Sequence, residues 1–177
     1  MDSRSEREDR VIEEVERKFL VRHEGWRRSA DRGVAMRQGY LQGGARCSTR
    51  VRIAGDRAWL NLKSATVGVR RLEFEYPIPV ADAEQILANL CEGPLVEKTR
   101  YCVPVGDHVW EVDCFEGDNA GLVVAEVELN DPDEAFVRPD WAGPEVSGEI
   151  RYYNSSLVAY PFRRWTAEER RAHDKPD

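Results

Sequence analysis

Apolar and polar positions alternate with a period of two over residues 11–20, 34–42, 47–54, 57–64, 68–78, 96–104, 107–114 and 122–130. Successive side chains of a strand point to opposite faces, so each stretch predicts a β-strand with one apolar and one polar face. Gly, Asp or Pro punctuates the intervals. Ala54-Gly55-Asp56 and Val105-Gly106-Asp107 read as tight hairpins, which join antiparallel neighbours. Eight such strands predict a closed antiparallel barrel. The period changes to three and four over residues 81–93, where Ala83, Ile86, Leu87 and Leu90 make a helical stripe that Gly93 stops. Weaker helices are predicted at 22–30, around Trp26, and at 151–160, with Tyr153, Leu157 and Tyr160 as the stripe. The predicted class is α+β, an eight-stranded barrel with flanking helices.

The polar faces of these strands are almost purely ionic. Glu14, Glu16 and Lys18 share a phase, as do Arg50 and Arg52, Glu73 and Glu75, Lys98 and Arg100, and Glu126 and Glu128; Lys63 and the pair Glu111 and Asp113 extend the pattern. The opposite faces carry Val51 and Ile53, Leu60 and Leu62, Leu72 and Phe74, Val112 and Cys114, and Val127 and Leu129. Phase alone leaves two closures open. In one the apolar residues fill the barrel and the charges form solvated cross-strand pairs, each worth roughly 0.2–1 kcal/mol. In the other the charges line a wet lumen, and helices or a second copy of the chain cover the apolar faces, which permits a homodimer.

Composition narrows the function. The 177 residues predict one domain over 11–165, between charge-dense, mobile ends at 1–10 and 166–177. The 33 acidic and 26 basic residues give a net charge of -7, which argues against a nonspecific grip on nucleic acid. No apolar run approaches the ~20 residues of a membrane helix, and the first ten residues lack the apolar core of a secretion signal. A soluble, cytoplasmic protein with no membrane partner is expected. Four cysteines without a C-x-x-C pair, beside three scattered histidines, indicate reduced thiols, not zinc or a disulfide framework. Cys102 shares the phase of Lys98 and Arg100 and reads as a small filler.

The ionic rows hold eight carboxylates (Glu14, Glu16, Glu73, Glu75, Glu111, Asp113, Glu126, Glu128) and six cations (Lys18, Arg50, Arg52, Lys63, Lys98, Arg100). Crowded carboxylates repel one another, and a divalent cation keeps them ionised. Mg2+ or Mn2+, which take hard oxygen ligands and bridge carboxylates to phosphates, suit this set. Lys and Arg then hold the remaining phosphate oxygens. The predicted ligand is a metal-bound polyphosphate, with Tyr40 offering a hydroxyl and a carboxylate orienting a water for phosphoryl transfer. No G-x-x-x-x-G-K-[ST] loop occurs, and His23, His108 and His173 suggest no triad.

The run Glu14-Val15-Glu16-Arg17-Lys18 matches the ExExK signature of the CYTH superfamily, the triphosphate tunnel metalloenzymes. The likeness continues in order through TRVR (Arg50, Arg52), LNLK (Lys63), EFE (Glu73, Glu75), EKTRY (Lys98, Arg100), WEVD (Glu111, Asp113) and AEVEL (Glu126, Glu128). GEIRYYNSSL also resembles the C-terminal helix of the short bacterial members, so the resemblance spans about residues 11–163. It implies an eight-stranded tunnel with the charges inside. Lys18, Arg50, Arg52, Lys63, Lys98 and Arg100 would grip phosphates. Glu14, Glu16, Glu126 and Glu128 would be the main metal ligands, Glu73, Glu75, Glu111 and Asp113 would complete a second metal or place water, and Lys18 would alternatively orient the water. The chain most resembles the bacterial inorganic triphosphatases, which implies hydrolysis of tripolyphosphate to pyrophosphate and phosphate. Class IV adenylyl cyclase, thiamine triphosphatase (with Trp26, Trp59 or Trp141 as an aromatic platform) and a noncatalytic polyphosphate-binding module stand as alternatives.

Overall fold

The computed structural model describes residues 13–44, 46–65 and 69–171; the predicted mobile segment 1–10 and residues 172–177 of the predicted tail lie outside them. Its strands are β1 (Glu13–Val21), β2 (Val34–Gly44), β3 (Cys47–Ala54), β4 (Arg57–Ser64), β5 (Arg70–Ile78), β6 (Glu92–Val105), β7 (His108–Phe115), β8 (Val123–Leu129) and β9 (Ala142–Glu145). The order β5-β4-β3-β2-β6-β7-β8-β1 closes through an antiparallel pairing of β1 with β5, in which Glu14 faces Arg71. Eight strands therefore form the predicted barrel. β9, which no alternation announced, lies outside it and pairs with the far half of β1, Phe19 opposite Glu145. Its sequence, Ala-Gly-Pro-Glu, suits only an edge, because proline cannot donate to a central ladder.

The charged faces turn inward and the apolar faces outward, so the lumen closure holds. Outside β1, β6, β7 and β8, buried Val15, Phe19, Val103, Trp110, Val112, Val127 and Leu129 pack with Trp26 and Trp141. Trp26 comes from the Glu24–Arg28 segment, a 3-10 turn where a helix was predicted. Helix α1 (Val80–Asn89) lays Ala83 and Leu87 on Val51, Ile53 and Ala58 of β3 and β4. Each fully buried aliphatic or aromatic side chain contributes on the order of 1.5–3 kcal/mol. The apolar face of β5 stays open within one chain, with Leu72, Phe74 and Tyr76 41%, 40% and 51% exposed.

Inside, the rows are not charged along their full length. Leu20, Val96, Phe115 and Val124 share the phase of Lys18, Lys98, Asp113 and Glu126, yet they are buried with Tyr152, Leu157, Phe162 and Trp165 from the C-terminal segment. One end of the barrel is thus filled as a core. The predicted 151–160 helix is interrupted: a 3-10 turn, Ile150–Tyr152, precedes α2 (Asn154–Ala159), and Tyr153 between them is extended at φ -74, ψ 138. Tyr153 therefore leaves the predicted stripe, and of that stripe only Leu157 is buried. Part of the predicted tail forms α3 (Ala167–Arg171), where Arg170 donates to the carbonyls of Phe162 and Arg163. No helix among the described residues is long and apolar enough to cross a membrane.

Candidate active site

The barrel encloses a cavity of about 390 Å³, and most of the predicted residues converge on it: Glu14, Glu16, Lys18, Tyr40, Arg50, Arg52, Lys63, Glu73, Glu75, Arg100, Glu111, Glu126 and Glu128. Strand register explains the convergence. Arg50 stands between Tyr40 of β2 and Asn61 of β4, Lys63 faces Glu73, and Lys18 faces Glu126, which in turn faces Glu111.

Lys98 and Asp113, predicted as phosphate and metal contacts, are set back from the wall of this cavity. Both side chains are essentially inaccessible, at 1% and 0%, and are ion-paired to each other behind Arg100. The lumen row turns into packed core at this point, since Lys98 lies opposite Phe115. Burial and the neighbouring Arg100 lower the Lys98 amine to about 8 despite Asp113. Arg100 caps this buried pair, donating to Asp113 at 2.7 Å and to Glu126 at 2.7 Å while also pairing with Glu111.

Opposite charges within the cavity neutralise one another. Lys18 Nζ is 2.8 Å from Glu126, Lys63 Nζ is 2.8 Å from Glu14 and 3.1 Å from Glu73, and Arg52 is 2.8 Å from Glu75. Burial alone would discharge these groups, but the pairing outweighs it in several. Glu126 is held well below the ordinary carboxylate range by Lys18 and Arg100, and Glu73 is lowered chiefly by Lys63. Lys18 is raised by Glu126 and Glu16. Elsewhere burial prevails. Glu16 is raised by burial and then by Glu126, and Glu128 by burial and then by Glu14, Glu111 and Glu16. Burial also raises the Tyr40 phenol, keeping it a neutral donor. Carboxylates that raise one another are a hard-oxygen donor set that a divalent cation relieves, and among the described residues no group of three or more of them is already gathered as a metal site.

Several wall residues escaped the sequence reading. Ser48, Arg71, Tyr153, Asn154 and Ser155 also line the cavity. Asn61, fully buried, donates from one amide nitrogen to Glu73 at 3.0 Å and Glu75 at 2.5 Å. Ser48, Asn61 and Arg71 each lie two residues from a predicted site residue, so strand phase contained their signal. Tyr153, Asn154 and Ser155 carry no strand phase and become visible only in the fold. Of the candidate aromatic platforms, Trp26 and Trp141 are buried in the outer core, whereas Trp59 sits 5.2 Å beneath the Arg52 guanidinium.

Known proteins repeat this architecture. The CYTH domain model matches residues 13–159. The chain is 45% identical to an inorganic triphosphatase of Acetivibrio thermocellus, over 86% of this chain and 97% of that protein. It is 38% identical to an inorganic triphosphatase of Nitrosomonas europaea, over 82% and 96% of the two chains. A crystal structure of an inorganic triphosphatase superposes with a TM-score of 0.59 at 36% identity, covering 82% of this chain and 93% of the other. A putative adenylyl cyclase from Hippeastrum shares the fold alone, with a TM-score of 0.57 at 14% identity over 68% and 81% of the two chains. With its ordered charged rows facing one enclosed cavity and its family match covering most of its length, the chain belongs to the CYTH domain family.

Proposed function

We infer that the protein hydrolyses a triphosphate inside the barrel, with inorganic tripolyphosphate as substrate and pyrophosphate and phosphate as products. One observation carries this reading. Arg50 and Arg52 face the cavity with buried Nε donors that make no hydrogen bond among the described residues, beside carboxylates already matched to Lys and Arg. A buried unsatisfied donor is costly, and a phosphate oxygen satisfies it.

Arg50, Arg52, Lys63, Lys18 and Arg100 hold the phosphate oxygens, and Tyr40 donates its hydroxyl. As the cations turn to phosphate, the carboxylates they held become available to a divalent ion. Glu14, Glu16, Glu126 and Glu128 would be its main ligands, and Glu73, Glu75 and Glu111 would hold a second ion or place water. When bound, Mg2+ or Mn2+ neutralises phosphoryl oxygens and acidifies water. Glu16 and Lys18, 3.7 Å apart, orient the attacking water, and the Glu16 carboxylate takes its proton. The water oxygen bonds to the terminal phosphorus, the bridging P–O bond breaks, and pyrophosphate leaves.

A substrate panel with each metal tests the reading. Tripolyphosphate with Mg2+ or Mn2+ should release phosphate and pyrophosphate in equal amounts. Tight binding without release identifies a binding module instead. Cyclic AMP and pyrophosphate from ATP identify a cyclase. A preference for thiamine triphosphate that disappears in Trp59→Ala identifies Trp59 as its platform.

A further inference from the structure

Arg50 and Arg52 stand two residues apart on β3, and their cross-strand neighbours differ. Arg50 lies between Tyr40 and Asn61, and Arg52 lies between Gln38 and Trp59. Arg52 therefore meets an aromatic ring where Arg50 meets an amide. Its guanidinium carbon is 5.2 Å from the centre of the Trp59 ring, and its Nη2 donates to Glu75 at 2.8 Å. The adjacent Nε is buried and makes no hydrogen bond among the described residues. Trp59 shares the strand phase of Asn61 and Lys63 but is not part of the cavity wall. The exposed Arg57, two residues earlier on β4, sets its own guanidinium carbon 5.1 Å from the same ring.

We propose that Trp59 is a positioning residue that holds the Arg52 guanidinium open toward the cavity, so that Arg52 keeps a donor for an incoming phosphate instead of folding onto Glu75. This deepens the reading that Arg52 grips a phosphate and rests on it. A carboxylate holds a guanidinium most strongly through two parallel bonds, and such a fork on Glu75 would take up the donors that phosphate needs. Among the described residues only one of these bonds forms. The ring face attracts the same cation without using any N–H, and it does so more strongly here, where the Arg52 side chain is 16% exposed, than at an open surface. Holding the guanidinium in place before substrate arrives also lowers the cost of ordering it on binding. Because the indole already carries two guanidiniums, an aromatic substituent on a substrate would compete with them for the ring.

Calorimetry with tripolyphosphate, with divalent metal withheld so that nothing turns over, tests this in a double-mutant cycle. Trp59→Leu should weaken binding roughly tenfold, whereas Trp59→Phe, which keeps a ring face, should stay within about threefold of the wild type. In an Arg52→Gln background, Trp59→Leu should change the affinity by less than about twofold, because the group it positions is gone. Wild-type affinity in Trp59→Leu, or losses that multiply in the double variant, overturn the proposal. So does a Trp59→Phe protein that binds as weakly as Trp59→Leu, because a ring face would then supply nothing. If circular dichroism shows Trp59→Leu unfolded, Trp59→Met carries the same cycle with the same expected outcomes. Wild-type affinity in Arg52→Gln sinks the reading of Arg52 as a phosphate contact and the role of Trp59 with it. Failure of tripolyphosphate to bind the wild type at all sinks the triphosphate reading itself.

Discussion

Lys18 and Leu20 stand two residues apart on one strand, point the same way and are both buried, yet they belong to different regions of the barrel. Lys18 is paired with Glu126 inside the cavity, while Leu20 packs among Val96, Phe115 and Val124. The neighbouring strand repeats the contrast in Glu126 and Val124. One inner wall thus serves as a polar ligand chamber over part of its length and as an ordinary core over the rest. The core end holds the strands at a fixed stagger, and that stagger gives the chamber a rigid set of paired charges.

Reversing a charge in the chamber should have the largest effect. Arg52→Glu leaves Glu75 unpaired and places an anion where phosphate binds, so kcat/KM for tripolyphosphate should fall by roughly a thousandfold or more while the circular dichroism spectrum is kept. Unchanged kinetics would remove Arg52 from the site. The core end should respond in stability instead. Leu20→Ala should cost about 2–5 kcal/mol in urea unfolding, with kcat/KM in the folded protein changed by less than about threefold. If that variant loses activity without losing stability, the division between the two regions is wrong.

A smaller effect sharpens the chamber itself. Glu128→Gln replaces a hard carboxylate ligand by an amide, so the metal concentration for half-maximal rate should rise roughly tenfold and excess metal should restore the rate. A rate that excess metal cannot restore would give Glu128 some other role. The smallest effect lies outside the barrel. Burial would raise the Glu145 carboxyl from its ordinary 4.5, but hydrogen bonds from Arg17 and Ser147 outweigh it and hold it lower. A carboxyl lowered in the folded state stabilises above the unfolded pKa, and this contribution is lost as pH falls from about 4.5 through the folded value. Glu145→Gln should therefore cost about 0.5 kcal/mol or less at pH 7, as suits a partly exposed pair, and nothing near pH 2. A loss of stability that does not change with pH would show that packing, not charge, is what Glu145 supplies.

Strand periodicity placed the eight barrel strands within a few residues. It erred most on β6, which starts at Glu92, before the predicted Val96, because Gly93 at φ +73 lets the strand begin while still turning away from α1. β9 was illegible because its pairing depends on the half of β1 that β5 leaves free, a fact of barrel stagger with no local signal. In the site, the sequence reading found thirteen of the residues now seen lining the cavity, and strand phase read further contained Ser48 and Arg71 on its wall and Asn61 behind Glu73 and Glu75.

By itself the sequence determined that the charges share strand faces, because a period of two is a local property of the backbone. Which face was the lumen, and how far along each row the lumen reaches, only the tertiary structure decided. Lys98 and Asp113 have the phase of the site and the burial of the core, and Tyr153 has neither strand nor helix to announce it. Their places depend on strand stagger and on where the C-terminal segment fills the barrel, and both are set by contacts between residues far apart in the chain.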